Sequence, residues 1–260
     1  MKRFIILLAI PMVLQSCSSM YIPAVRSIPL LEKKGEFQGE AGASTNSAYV
    51  NGSYAFTDDI AASINGNLSY GNFTDYYDIY TNKYERDLLD FGGRFLHRYG
   101  EVSVGKMNML PNFPIKLEVF GGAGVGRATE DTDELYHNNN YKSDYYSFFG
   151  QGNFGLKKRI VEAGISIRLA YSMFNYAVNL NEGELYKTQF DVFHVEPVFF
   201  VRIGKSNLKA VFRTGVNLTL PINPVEEYEM LGFNSYNGKL DYTIFHFSVG
   251  LSYRIGGSKK

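Results

Sequence analysis

The chain has 260 residues, and its 26 lysines and arginines balance 26 aspartates and glutamates, so its formal net charge is zero. That balance provides no long-range attraction for nucleic acid, and no nucleic-acid partner is expected. Twenty tyrosines, twenty phenylalanines and 26 glycines against eight prolines favour an all-β protein. After Leu14 no apolar stretch is long enough to cross a membrane as a helix, so any crossing must be made by strands.

The first 16 residues have the pattern of a cleaved secretory signal. Lys2 and Arg3 precede an apolar run that is too short for a transmembrane helix, and a small residue, Ser16, stands before Cys17. The sequence "LQSC" resembles the lipobox of bacterial lipoproteins, whose cysteine becomes the acylated N-terminus. The resemblance implies acyl chains on Cys17, which is the single cysteine and therefore cannot form an intramolecular disulfide. The alternative is an ordinary signal peptide with a cysteine nearby.

Residues 17–34 show no periodicity and contain two Ile-Pro pairs, which predicts an extended periplasmic tether. From residue 35 onward apolar and polar residues alternate with period two, the pattern of strands whose two faces meet different environments. Ten such segments are predicted, at 35–44, 47–57, 60–71, 86–98, 115–127, 144–156, 160–173, 191–203, 207–220 and 241–255. Each is near the length of about 9–11 residues expected for a tilted membrane strand. Residues 257–260 would form a basic tail.

The connections between these segments alternate in length. Those at "TDD", "KKR" and "GKSN" are short, whereas 72–85, 128–143, 174–190 and 221–240 are long and polar. Short turns at one end and long loops at the other are typical of outer-membrane barrels. We therefore predict a single domain over 35–256, a transmembrane up-and-down antiparallel β-barrel of ten strands, with eight strands as the alternative.

The polar parity of the strands is poor in lysine, which a soluble, lipocalin-like barrel would carry on its outer face. Glycine, serine, asparagine and scattered arginine–glutamate partners suit a confined lumen instead, where charges must pair to offset desolvation. The apolar parity should then face lipid, at Ile60, Ile64, Leu68, Ile165, Ile167, Leu169, Phe247, Val249 and Leu251.

A charge network is expected inside the barrel. Its predicted members are Glu40, Arg94, Glu118, Glu162, Arg168, Glu196, Arg202, Arg213, Arg254, His194 and His246. Internal pairing of these charges is the structural interpretation, and a charge-lined path for small solutes is the functional one. Inward aromatic residues such as Phe149 and Phe200 favour a largely filled lumen over an open pore.

Other motifs indicate no cofactor, metal or catalytic site. "GGAGVG" at 121–126 lacks the following helix of a phosphate-binding loop, and "DTDE" at 131–134 lacks the glycine and distal glutamate of a calcium loop. The four histidines have no metal-ligand spacing. Outer-membrane barrel enzymes need acid and base groups at the loop rim, where His137 and several carboxylates occur, but nothing fixes a nucleophile. We expect no enzyme.

"YIPAVRSIPLLEKKGEFQGEAG", "SYAFTDDIAASING" and "GLKKRIVEAGISIRLAY", together with the lipobox, are similar to a family of small outer-membrane β-barrel lipoproteins of Bacteroidota. The resemblance implies the bacterial outer membrane and, from the non-acidic "SSMYIP" after Cys17, an anchor in the periplasmic leaflet. It implies no established activity. The expected role is a lipid-anchored scaffold that meets protein partners through loops 72–85, 128–143 and 221–240, with a small-solute channel as the alternative.

Overall fold

A computed structural model describes residues 21–45, 47–73, 93–107, 110, 115–132, 140–179, 185–205, 207–222 and 245–256. In these ranges no helix is long and apolar enough to cross a membrane. The strands are β1 (Phe37–Ser44), β2 (Ala48–Ala55), β3 (Ile60–Phe73), β4 (Gly93–Lys106), β5 (Ile115–Thr132), β6 (Asn140–Lys157), β7 (Val161–Asn179), β8 (Leu185–Ile203), β9 (Leu208–Val216), β10 (Leu218–Pro221) and β11 (Phe245–Ile255).

The strands close into one antiparallel barrel. Pairing runs from β1 through β8 between sequence neighbours, β8 pairs with β9, β9 with β11, and β11 with β1. β9 and β10 are two parts of one barrel strand, because Val198 opposite Gly215 and Val195 opposite Leu218 belong to the same register. Their interruption faces Pro197, which has no N–H to donate to the ladder. The predicted ten-stranded barrel is therefore confirmed.

Several strand bounds differ from the prediction. β4 covers 93–106 rather than 86–98, so only 107–114 connects it to β5, and β5 to β8 each have 18 or 19 residues. Parts of the predicted loops 128–143 and 174–190 are therefore strand. The reason is that ladder pairing continues after the apolar pattern stops, as between Thr129 and Lys142, which lie beyond the predicted ends of both strands.

The barrel has two different ends. Its turn end carries connections 56–59, 107–114, 158–160 and 204–207 together with the start of β1 and the end of β11. Its loop end carries connections 45–47, 74–92, 133–139, 180–184 and 222–244. Apart from 45, 47 and 222, the residues of those loop-end connections lie outside the described ranges.

Burial alternates along each strand with the polar residues inside. In β3, Ser63, Asn65 and Asn67 are buried, whereas Ile64 is 62% exposed and Leu68 is 51% exposed. This arrangement is the reverse of a soluble barrel, which turns its apolar residues inward.

The N-terminal segment, residues 21–34, runs through the interior of the barrel without regular secondary structure. Residues 21–31 are all buried, and Ile28, Leu30 and Leu31 have no exposed surface. The predicted periplasmic tether is thus wrong for residues 21–31. The apolar side chains of this segment are buried inside the barrel, and inward polar residues of the strands bind its backbone.

Candidate functional site

The candidate site is the interior of the barrel, where the N-terminal segment meets the inward side chains of the strands. Arg26 and Glu196 form a deeply buried ion pair, with Nη2 3.1 Å from Oε2 and both side chains almost inaccessible to solvent. Arg26 Nη1 also donates to the Glu196 carbonyl at 2.8 Å. The hydroxyl of Tyr21 donates to Glu196 Oε1 at 2.7 Å. One buried carboxylate on β8 is therefore compensated by two residues of the segment.

Four successive carbonyls of the segment each accept a hydrogen bond from a different side chain, and these side chains lie on β6, β8 and β11. Gln151 Nε2 donates to Ser27, Arg202 to Ile28, Arg254 Nη2 to Pro29 and Lys157 Nζ to Leu30. An extended chain without a strand neighbour would otherwise bury these oxygens unpaired, at a cost of about 1–3 kcal/mol for each group. Inward side chains of the barrel strands thus supply the hydrogen-bond donors that a neighbouring strand would supply in a sheet.

Backbone amides of the segment are bound toward the turn end. Leu31 N–H donates to Glu118 Oε1 at 2.8 Å, and Glu32 N–H donates to Glu36 Oε2 at 2.7 Å. Lys34 N–H reaches Asp58 in the β2–β3 turn at 2.9 Å. These bonds fix the segment where it continues into β1.

Glu162 is the centre of a second charge cluster, on β7 near the turn end. It accepts from Arg202 at 3.1 Å, from Lys209 at 2.8 Å and from Arg254 at 2.8 Å. Three cations surround one buried carboxylate, which leaves an excess of positive charge. Carbonyls of the segment and the Glu36 carboxylate compensate this excess, because Arg202 and Arg254 donate to the carbonyls and Arg254 pairs with Glu36. The cluster is complete only with the segment in place.

Arg168 and Glu101 form a third cluster across the lumen. Arg168 donates through Nη1 and Nη2 to both carboxylate oxygens of Glu101, at 2.8 and 2.7 Å. Its guanidinium also lies 4.1 Å from the centre of the Phe149 ring, a cation–π contact. Tyr99 and Asn65 donate to Glu101 as well. This bidentate pair joins β4 to β7, which are not neighbours in the sheet.

Glu40 on β1 and Arg213 on β9 form a fourth charge cluster. Arg213 binds both oxygens of Glu40 through two nitrogens, and its guanidinium lies 5.7 Å from the Tyr49 ring centre. A weaker ion pair links Arg202 to Glu40 at 3.6 Å. The clusters of Glu40 and Glu162 therefore share Arg202.

Aromatic rings surround Tyr21 at the far end of the segment. The Tyr21 ring stacks on His194 at 4.0 Å between centres and meets Tyr145 edge-on at 5.7 Å. Tyr145 in turn stacks on Phe174 at 4.8 Å. These rings lie together in the part of the lumen next to Glu196.

The glycines of "GGAGVG" make room for inward rings from neighbouring strands. A Cβ on Gly126 would overlap the Tyr145 ring, and one on Gly124 would overlap the Tyr99 hydroxyl. These two inward positions cannot accept a side chain without moving the aromatic residues.

At the turn end, Glu32 sits between Lys116 and Lys157, with nitrogen–oxygen distances of 3.2 and 3.4 Å. Partial burial opposes ionisation of this carboxyl, but the two ammonium groups lower its pKa below the usual range. Glu32 is therefore ionised at neutral pH and pins the base of the segment.

Most of the predicted lumen charges lie inside the barrel. Buried there are Glu40, Glu118, Glu162, Arg168, Glu196, Arg202, Arg213, His194 and His246, with Arg254 half-buried. Arg94 belongs to β4, but its side chain lies outside the described part of the chain. Glu118 accepts from Asn153 as well as from Leu31. His194 contacts Thr219 and Tyr21.

The predicted lipid-facing residues lie on the outer surface. Exposed there are Ile60, Ile64, Leu68, Ile165, Ile167, Leu169, Val249 and Leu251, with Phe247 half-buried. Outside the described residues lie Cys17, His137, the predicted loop residues 74–85 and 223–240, and residues 133–139 of the predicted loop 128–143. Among the residues that are described, no group of three His, Cys, Asp or Glu side chains could hold a metal ion.

Sequence reasoning missed the residues that the segment contributes and several that the strands contribute, among them Glu101, Gln151 and Lys157. Arg26 and Tyr21 lay in the supposed tether, and Glu101 lay in a supposed connection. A signal for Glu101 existed, because Tyr99, Glu101 and Ser103 continue the inward parity of His97. For Arg26 the only signal was one arginine among apolar residues and prolines.

Two of the solved structures to which this chain is similar are outer membrane proteins. A major outer membrane protein from Thermus thermophilus is 10% identical with a TM-score of 0.42, over 85% of this chain and 99% of that chain. OmpT, an outer membrane protein of Vibrio cholerae, is 11% identical with a TM-score of 0.18, over 90% and 100%. No family model and no curated protein matches the sequence. Likeness at these TM-scores carries no functional inference, and the resemblance to Bacteroidota lipoproteins stays a prediction.

Proposed function

We propose that the protein is a lipid-anchored barrel of the bacterial outer membrane. The observation that carries this proposal is the exposed apolar outer face of the barrel. Large apolar side chains are exposed on nearly every strand, for example Val102, Phe148, Ile167, Phe199 and Leu251. A continuous apolar surface around a closed barrel fits a lipid environment, since soluble proteins rarely expose apolar patches of more than a few hundred Å².

Charged residues border the apolar face at both ends. Near the loop end, Arg127 pairs with Asp144 at 2.5 Å, and Lys142 pairs with the same carboxylate at 3.2 Å. At the turn end, the exposed residues include Lys158 and Lys205. A band bounded in this way suits a hydrocarbon layer between two polar headgroup regions.

We further propose that the N-terminal segment keeps the lumen closed to solutes. Its support is the density of contacts: four consecutive carbonyls bound by four different side chains, and Arg26 paired with Glu196 at 3.1 Å. A closed barrel cannot transport solutes, so we assign its role to the surface that it exposes outside the membrane. The long connections at the loop end are the place where a rigid barrel can vary its recognition. The protein is accordingly a scaffold or interaction protein rather than an enzyme.

Current through planar lipid bilayers tests the closed lumen. The wild-type protein is expected to insert without a stable unitary current. A stable current that is lost when Arg168 or Arg213 is replaced would contradict the closed lumen and establish a channel. Arg127→Ala is the matched control, because Arg127 lies on the outer face and its loss should leave any current unchanged.

One observation favours a small-solute channel as the second candidate. Asn51 and Asn67, on the inner faces of β2 and β3, are buried, and no nitrogen or oxygen of either carboxamide has a hydrogen-bond partner among the described residues. Buried amides are normally paired with protein or water, so this wall is suited to hydration beside the segment. Replacing both asparagines by leucine would reduce a wild-type current only if they line its path.

A further inference from the structure

The N-terminal segment has a definite direction through the barrel. At the turn end, Lys34 binds Asp58 of the β2–β3 turn, and Leu31 packs against Ala55 and Ala61 beside that turn. Going backward along the chain, Arg26 binds Glu196, and Tyr21 packs among Tyr145, Phe174 and Phe190. The chain therefore rises toward the loop end as its residue numbers fall.

Ile22 reaches the loop-side border of the apolar band. It packs against Ala128, the inward neighbour of Arg127 in β5. Tyr21 packs against Tyr145, the inward neighbour of Asp144 in β6. Because Arg127 and Asp144 pair on the outer face where the apolar residues stop, residues 21 and 22 lie level with that border.

The residues before Tyr21 have too little reach to return to the turn end. Three residues separate Cys17 from Tyr21, and the four residue steps between them span at most about 14 Å when fully extended. The apolar band of an outer-membrane barrel is about 25 Å tall. The route back through the lumen is occupied by the buried residues 22–31 of the same segment.

We infer that the mature N-terminus leaves the barrel at its loop end and that the acyl chains of Cys17 enter the leaflet on the loop side, the outer leaflet of the outer membrane. This rests on the proposed function, namely the outer-membrane barrel and the acylation of Cys17. It replaces the periplasmic leaflet expected from the residues after Cys17. The acyl chains thus contact the lipid of the cell surface, and the anchor lies on the same side of the membrane as the long loops.

Thiol labelling on intact cells tests this topology. Ser19→Cys places a thiol between Cys17 and the segment, Lys142→Cys marks the loop end, and Lys205→Cys marks the turn end. Each full-length variant is treated with a membrane-impermeant maleimide before and after the outer membrane is permeabilised. Acylated Cys17 has no free thiol, so the wild-type protein serves as the blank, and radiolabelled palmitate reports acylation directly.

Labelling of Ser19→Cys and Lys142→Cys on intact cells, with Lys205→Cys labelled only after permeabilisation, is the expected result. Labelling of Ser19→Cys only after permeabilisation, together with Lys205→Cys, would overturn the inference while leaving the proposed barrel intact. Equal labelling of Lys142→Cys and Lys205→Cys on intact cells, or failure of the wild-type protein to incorporate palmitate, would instead contradict the proposed function. Folding of each variant is checked by its heat-dependent electrophoretic mobility.

Discussion

The interior of this barrel depends on individual charges that the N-terminal segment supplies. Glu196 is fully buried, and among the described residues its ion pair is with Arg26. A buried carboxylate left without its cation is far more costly than an exposed one, because neither water nor salt can compensate it. The segment is therefore bound by electrostatics as well as by packing.

Arg26→Ala is expected to lower the free energy of unfolding by about 3–5 kcal/mol, since it leaves Glu196 buried without its partner. Urea unfolding in lipid vesicles, followed by electrophoretic mobility, measures this change. The control is Arg127→Ala, which breaks an exposed pair and should cost at most about 1 kcal/mol.

The double variant Arg26→Met/Glu196→Gln should recover most of the loss, because replacing a buried pair by groups of similar size is often nearly neutral. Equal effects of Arg26→Ala and Arg127→Ala would show that Arg26 is not buried against Glu196.

Gly126→Ala is expected to destabilise the barrel by about 1–3 kcal/mol, the range for overpacking, because its Cβ would overlap the Tyr145 ring. Gly150→Ala is the matched control: this glycine lies on the outer face of β6, and a Cβ there meets nothing within 4 Å. The same unfolding measurement compares the two. Similar effects of both substitutions would contradict the inward position of Tyr145.

At the scale of single elements, the strands follow from periodicity and the segment does not. β3 and β11 carry unbroken alternation, so their inward and outward faces could be read from the sequence. β4 could not be bounded in this way, because Arg98 interrupts its outward apolar pattern near the end of the apolar band. The segment has no period at all, since an extended chain inside a lumen contacts side chains of many strands rather than one neighbouring strand.

Long-range pairing explains the remaining omissions. Lys157 binds the Leu30 carbonyl, 127 positions earlier in the chain, and Arg254 binds the Pro29 carbonyl, 225 positions earlier. No local motif encodes such contacts, because the partners are backbone oxygens that every residue carries. The sequence could show that arginines and glutamates face the lumen, but not that a segment of the same chain lies buried there.

Ile64→Arg tests the outer face of β3. Ile64 is 62% exposed near the middle of the strand, and a charge facing the middle of a bilayer is expected to cost about 2–4 kcal/mol. Tyr70→Arg, nearer the loop end, should cost at most about 1 kcal/mol, because charged residues near the interface are tolerated. Unfolding in vesicles measures both, and unchanged insertion and stability of Ile64→Arg would contradict a lipid-facing strand.

At the scale of the whole molecule, one polypeptide forms both the barrel and the N-terminal segment buried inside it. The wall holds the segment through carbonyls, so the segment's place depends on its extended backbone, which the two Ile-Pro pairs favour. The segment in turn provides Arg26 for the wall and apolar side chains for the space between the clusters. Barrel and segment are thus expected to fold together.

An engineered disulfide measures the central claim, that the N-terminal segment lies inside the barrel. The hydroxyls of Ser27 and Ser53 are 2.6 Å apart, so the variant Ser27→Cys/Ser53→Cys places two thiols within bonding reach across the lumen. The control Ser27→Cys/Ile64→Cys moves the second thiol to the outer face. Mass spectrometry of proteolysed protein from oxidised membranes should find the cross-link in the first variant and none in the control. Absence of the cross-link from a folded first variant, or equal cross-linking in both, would contradict a segment held in the lumen.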